Sequence, residues 1–141
     1  MISSDQLEAS DLENAHLVIM GTPTHKINLP EAVRPAFERI PKRALRGKRT
    51  AAFDTSYKMS PILARFTAAK KLDRELRKLS GKRAIWPETF FVDGREGPLC
   101  PGELERAREW AGSLLARVEH LGASRAGEMA QRCRDAGSEW R

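Results

Sequence analysis

Cysteine is scarce in this chain. Cys100 and Cys133 are the two present in 141 residues, and they form no Cys-x-x-Cys pair. Numbers and spacing of that kind give no disulfide framework and read as reduced thiols of a cytoplasmic protein. Histidine is nearly as rare, and His16, His25 and His120 stand at no ligand spacing from the cysteines, so no metal site is expected. No apolar run approaches the ~20 residues of a membrane-spanning helix. The first residues, Met-Ile-Ser-Ser-Asp-Gln-Leu-Glu, are polar and acidic, so neither a signal peptide nor a membrane anchor is expected. Aromatic residues make up 6% of the chain, with Tyr57 the single tyrosine.

What the chain has in excess is positive charge. The net charge is +6. "PKRALRGKRT" (41–50) holds Lys42, Arg43, Arg46, Lys48 and Arg49 with no acid. The segment 68–83 holds Lys70, Lys71, Arg74, Arg77, Lys78, Lys82 and Arg83 against Asp73 and Glu75. A solvated helix face, with basic helix ends that suit the macrodipole, is the plainer reading. A basic nucleic-acid-binding protein is the alternative, but no aromatics interleave the bases and no recognition motif is present.

The apolar pattern sets the fold class. His16–Met20 is a short continuous run, expected as a strand buried on both faces. In 31–40, Val33, Ala36, Phe37 and Ile40 share a helical face, with Pro35 near the start. Thr50–Phe53 reads as a second strand, ending at "DTSYKMSP". Ile62, Phe66, Ala69, Leu72, Leu76 and Leu79 recur at spacings of three and four, predicting one amphipathic helix closed by Ser80-Gly81. A third strand centres on Ala84–Trp86, with "FFV" (90–92) beyond Pro87. Leu104, Ala107, Ala111, Leu114, Val118 and Leu121 mark a last helix. Residues 1–121 are expected as one domain, and 122–141 as a weakly patterned, frayed tail. Alternating strands and helices mean α/β with parallel strands joined by crossover helices. Ligands then bind beyond the carboxyl ends of the strands, where "GTPTHKIN" and "DTSYKMS" lie.

These segments resemble the flavodoxin family of FMN-binding electron carriers. "DLENAHLVIMGTPTH" is similar to the family's third strand and its Gly-Thr-Pro-Thr-His loop. "LRGKRTAAFDTS" is similar to the lead-in to its fourth strand. "PETFFVDGREGPLCPGELERAREWAGSL" is similar to the end of its domain. The resemblance spans about residues 7–118. It implies a three-layer α/β/α sandwich with a parallel sheet, represented here by the third to fifth of the usual five strands. It also implies that the first half, with its phosphate loop, is missing. By resemblance, Thr22, Pro23, Thr24, His25 and Asn28 border an FMN ring, with Asp54, Thr55, Ser56 and Tyr57 forming a second wall. The flavin would shuttle electrons to a redox partner protein without catalytic side chains of the protein's own.

Other readings stay open beside that one. His25 is a flavin contact or a polar loop residue, Asp54 a ligand or a turn cap, and Tyr57 a stacking residue or loop cover. Trp86 and Trp110 read as packing residues, and Cys100 has no neighbour that would activate it. Without a phosphate loop the flavin is lost in one alternative, which leaves a flavin-free interaction module. An uncovered apolar edge strand would favour a homo-oligomer or an assembly with a separate first half.

Overall fold

The computed structural model describes residues 1–24 and 30–138, without the side chains of Ala32, Ala64 and 133–138. His25 and Asn28 lie outside the described residues. The helices are α1 (Ala9–Glu13), α2 (Arg34–Arg39), α3 (Ala68–Lys78) and α4 (Glu103–Ser138). The strands are β1 (Leu17–Pro23), β2 (Arg49–Ser56), β3 (Lys82–Arg83) and β4 (Glu88–Phe91).

All strand pairs are parallel, as the alternation of strands and helices predicts. β2 is central. β1 pairs along its whole length, from Leu17↔Arg49 to Pro23↔Thr55. β3 and β4 both pair with the other side of β2, first at Arg49 and Thr50, then from Phe53 to Ser56. They are two pieces of one edge, parted by residues 84–87 with Pro87 among them. β1, β2 and β4 are each followed by a helix, and the helices divide between the two faces. Val18, Met20 and Ala52 point toward α1, α2 and α3, where Leu12, Ile40, Leu45, Leu72, Leu76 and Leu79 bury. Ala51 and Leu17 point the other way, toward Leu114, Trp110 and Val118 of α4. This is the expected three-layer arrangement. Each fully buried leucine contributes roughly 1.5–3 kcal/mol of apolar transfer, so the face carrying α3 holds most of the core.

Aromatic packing sets the other face. Phe53, Phe90 and Trp110 form a tilted, edge-on trio with centroids 6.0 to 6.1 Å apart. The Phe53 ring lies flat on Gly21, where a Cβ would stand 2.2 Å from the ring's Cζ. Only glycine lets β1 and β2 hold that ring between them.

Several expectations are corrected. β1 is not buried on both faces: Ile19 is 49% exposed. Ile19 alternates with Val18 and Met20, so its side chain lies on the α4 face, outside the cluster packed there, and β1 is the edge of the sheet. Arg49 N–H donates to His16 C=O and Thr24 N–H to Thr55 C=O. Bonding residues alternate along a parallel strand, so Leu17, Ile19 and Gly21 turn their backbone groups outward. Among the described residues no strand pairs with that edge. Ile62 and Phe66 are not on the buried face of a continuous helix. Residues 63–66 form a short 3-10 turn, and extended Thr67 (ψ 157°) separates it from α3. The segment after Leu121 is not frayed but continues α4 to Ser138. Residues 122–132 are exposed on every side, so good helix formers such as Ala, Arg, Glu, Met and Gln carry it rather than burial. Trp86 is not a packing residue: it is 69% exposed, with the Arg83 guanidinium 3.7 Å from its ring centroid.

Candidate functional site

The carboxyl ends of β1, β2 and β4 lie side by side at one end of the sheet. β2 runs further than the polar sequence "DTS" suggests. Asp54, Thr55 and Ser56 are strand residues rather than loop, because Thr22 and Pro23 on one side and Thr89, Phe90 and Phe91 on the other extend the ladder. The loop begins at Tyr57.

A chain of hydrogen bonds ties these ends together. Thr24 N–H donates to Thr55 C=O at 2.8 Å, and Val92 N–H donates to Ser56 C=O at 2.9 Å. The Thr24 hydroxyl donates to Asp54 Oδ2. It also accepts from Ala68 N–H at 3.3 Å, and Ala69 N–H donates to the same Asp54 Oδ2 at 3.1 Å. One carboxylate thus anchors the loop after β1 and caps the N-terminus of α3. A carboxylate suits that place because the first helical amides lack intrahelical acceptors and carry partial positive charge. The Thr67 side chain makes no cap bond, so Asp54 and Thr24 do its work.

Of the residues that resemblance places in the site, the structure brings Thr22, Pro23, Thr24, Asp54, Thr55, Ser56 and Tyr57 to this end. They do not all face outward. Asp54 is fully buried, and Thr22 and Ser56 are nearly so. Of the two readings of Asp54, ligand or cap, its bonds are those of a cap: one oxygen holds Thr24 and the start of α3. Its second oxygen, Oδ1, is buried without a partner. Tyr57 is 54% exposed. Pro23 is exposed, and Thr24 and Thr55 are half-buried.

The sequence pattern concealed one part of the surface. Ile62, Leu63 and Phe66 are exposed, at 73%, 41% and 56%. The loop bearing them starts at Tyr57, on the end of β2, and finishes at Ala68, whose amide meets Thr24. With Tyr57 they put four exposed apolar or aromatic side chains on one loop tied at both ends to the strand termini, which serves as an apolar shelf. Their helical spacing disguised it, and extended Thr67 was the missed signal. Lys58 and Arg65 are the charged residues of this loop, and both are exposed.

Toward the flavin that the resemblance implies, this surface presents residues for the ring side alone. The shelf offers apolar and aromatic side chains to a flat ring, and the Thr22–Thr24 backbone offers an edge. The phosphate side does not fit. Binding a phosphate at a helix N-terminus requires free amides, and the first two of α3 are taken by Thr24 and Asp54. A groove of about 470 Å³ between α2 and α3 is lined by Arg34, Glu38, Lys71 and Glu75 among others. It lies away from the strand ends.

No family model matches the chain. No curated protein matches it by sequence. Solved structures do. Flavodoxin 1 from Bacillus cereus superposes with a TM-score of 0.59 at 20% identity, over 79% of this chain and 72% of that one. A flavodoxin from Streptococcus pneumoniae TIGR4 gives 0.63 at 18% identity, over 81% and 74%. The rubredoxin:oxygen oxidoreductase of Desulfovibrio gigas gives 0.55 at 18% identity, over 75% of this chain and 24% of that one. The chain has a flavodoxin-like fold. About a quarter of each flavodoxin chain falls outside the match, while among the described residues no strand pairs with the outer edge of β1. No helix of the described residues is long and apolar enough to cross a membrane.

Proposed function

We propose that this flavodoxin-like chain is an FMN-associated electron-transfer domain and supplies the ring-side wall of the flavin site. The observation that carries the reading is the apolar shelf of Tyr57, Ile62, Leu63 and Phe66 at the carboxyl end of a parallel sheet, beside a braced Thr-Pro-Thr segment. In open α/β sheets this is the ligand end. Tyr57 would pack on the ring and the Thr22–Thr24 backbone would line its edge. Asp54 would keep Thr24 in place from behind. A bound flavin supplies the redox chemistry, and the protein contributes packing, hydrogen bonds and local charge. Lys58 and Arg65 would favour added negative charge on the ring.

The titration that tests this uses two ligands, FMN and riboflavin, followed by quenching of flavin fluorescence. A ring wall without a phosphate cradle binds both with affinities within a few-fold of one another. A built phosphate site would favour FMN by more than about a hundredfold, since each charge-assisted hydrogen bond contributes about 1.5–3 kcal/mol. Quenching that Tyr57→Ala does not weaken would count against the shelf.

The filled cap of α3 favours a second reading, a flavin-free interaction module. It predicts colourless protein, no quenching by either flavin at tens of micromolar, and a defined oligomer. A yellow monomer with stoichiometric flavin rules it out.

A further inference from the structure

The two basic segments are far apart in sequence, and the fold brings them together at the end of the sheet opposite the shelf. Leu45 N–H donates to Leu79 C=O at 3.1 Å, Lys82 N–H to Lys48 C=O at 3.0 Å, and the Ser80 hydroxyl to Lys42 C=O at 3.3 Å. The turn before β2 and the turn before β3 thus form one surface. Several of its cations are already engaged. Lys48 donates to the Glu13 and Ala15 carbonyls, Lys78 pairs with Glu75, and Arg83 pairs with Asp73. Lys42, Arg43, Arg46, Arg77 and Lys82 are exposed and make no ion pair among the described residues. Between Arg39 and Phe53, and between Leu76 and Pro87, there is no acid. Glu13, at the end of α1, borders the surface.

The shape of this end selects among anionic partners. The Phe91 amide donates to Glu103, so α4 starts at the carboxyl end of the sheet. It runs back until Leu114 packs with Ala51, the third residue of β2. Ala51 stands about 7 Å from the start of its strand, at roughly 3.3 Å per residue. At 1.5 Å per residue, α4 passes that level about five residues after Leu114 and runs on for some 28 Å more. A flat membrane would meet the projecting helix before it met the basic turns. A protein partner would need an apolar centre to its interface, yet Leu45 and Leu79 are buried and no aromatic residue lies in either turn. The exposed aromatic nearest the turns, Trp86, stands beyond β3 and already has the Arg83 guanidinium on one face, so a run of single-stranded bases finds no stacking platform in the turns themselves. A rod of regularly spaced phosphates fits the corner between helix and turns, and three arginines among the five cations can fork onto phosphate oxygens.

We propose that Lys42, Arg43, Arg46, Arg77 and Lys82 form a sequence-independent site for the phosphate backbone of a nucleic-acid duplex. The site lies at the far end of the sheet from the flavin surface and does not depend on that reading.

The test is fluorescence anisotropy with a labelled, mixed-sequence DNA duplex of about 20 base pairs, between about 50 and 200 mM KCl. Five phosphate contacts predict a slope of log K against log salt near −4.5. The double reversal K42E/R46E is expected to weaken binding at least about tenfold at the lower salt and to flatten the slope by about two. R95E changes an exposed base in the loop after β4, at the other end, and is expected to leave binding within twofold. Both variants alter exposed side chains, and unchanged far-UV circular dichroism confirms folding. The proposal is overturned by no binding at about 50 mM KCl, by a slope shallower than about −2, or by equal sensitivity to R95E and K42E/R46E. It is also overturned by tighter binding to polyglutamate, phosphatidylserine vesicles or single-stranded oligothymidine than to the duplex.

Discussion

The bond between Thr24 and Asp54 is the most informative place to perturb the candidate site. Thr24→Val keeps the shape and removes a hydroxyl that donates to Asp54 and accepts from Ala68. It costs one hydrogen bond to a charged group, about 1.5–3 kcal/mol, and leaves a helical amide unpaired. The expected loss is about 2–4 kcal/mol. With a urea dependence of about 2 kcal/mol per molar, the middle of the usual range, the unfolding midpoint falls by about 1–2 M. Asp54→Ala alone is harder to interpret, because two effects oppose. It removes two bonds to the carboxylate, but it also removes a buried charge with one oxygen unpartnered. A double-mutant cycle cancels the second effect, which is present with or without the Thr24 hydroxyl. The cycle of T24V, D54A and T24V/D54A, measured by urea unfolding at one temperature, should give a coupling of about 1.5–3 kcal/mol. A coupling below about 0.5 kcal/mol, within the additivity of independent sites, would refute the claim that Asp54 positions the loop through Thr24.

Three further outcomes follow from the packing. Thr50 is fully buried with its hydroxyl unpartnered, so Thr50→Val should stabilise the protein by about 1–2 kcal/mol, and a loss in thermal unfolding would contradict the orphaned hydroxyl. Gly21→Ala pushes a Cβ into the Phe53 ring and should cost about 1–3 kcal/mol. Phe53→Leu in the same chain should recover part of that loss, and simple additivity in urea would count against the contact. Ile19→Lys places a charge on the open edge of β1; sedimentation should show weaker self-association than the parent chain, and identical behaviour would place any association elsewhere.

Local pattern and non-local packing divided what could be read from the residues alone. The runs Leu17–Met20 and Thr50–Phe53 and the leucines at 72, 76 and 79 announced parallel strands and a covering helix, although burial on both faces holds for the central strand β2 and not for the edge strand β1. The end of β2 was hidden, since Asp54, Thr55 and Ser56 look like a loop until neighbouring strands are seen on both sides of them. The residues that the resemblance singled out do gather at the carboxyl end of the sheet, but Asp54 is enclosed there, because capping α3 is a contact 15 residues away in sequence. Ile62 and Phe66 had the right spacing for a core face and are exposed because the backbone at Thr67 is extended. Periodicity reports which residues could share a face, not whether the helix reaches them.

The basic end shows the same division between local cause and surplus. In a parallel α/β sheet every covering helix ends near the start of a strand, so helix C-termini gather at one end. Their partial negative charge favours cations in the last turn. That accounts for Arg39 at the end of α2 and for Arg77 and Lys78 at the end of α3. It does not account for Lys42, Arg43 and Arg46, which lie beyond the last turn of α2, or for Lys82, which lies beyond that of α3. The dipole's pull fades within a turn, and these four are neither paired nor buried. Like charges held on two turns that hydrogen-bond to each other repel, so the surface carries a standing electrostatic cost that the fold does not require. An anion that neutralises them removes that cost. The same logic does not extend to the shelf at the other end, where exposed apolar side chains outnumber Lys58 and Arg65 and the proposed ligand is a flat ring rather than a row of phosphates.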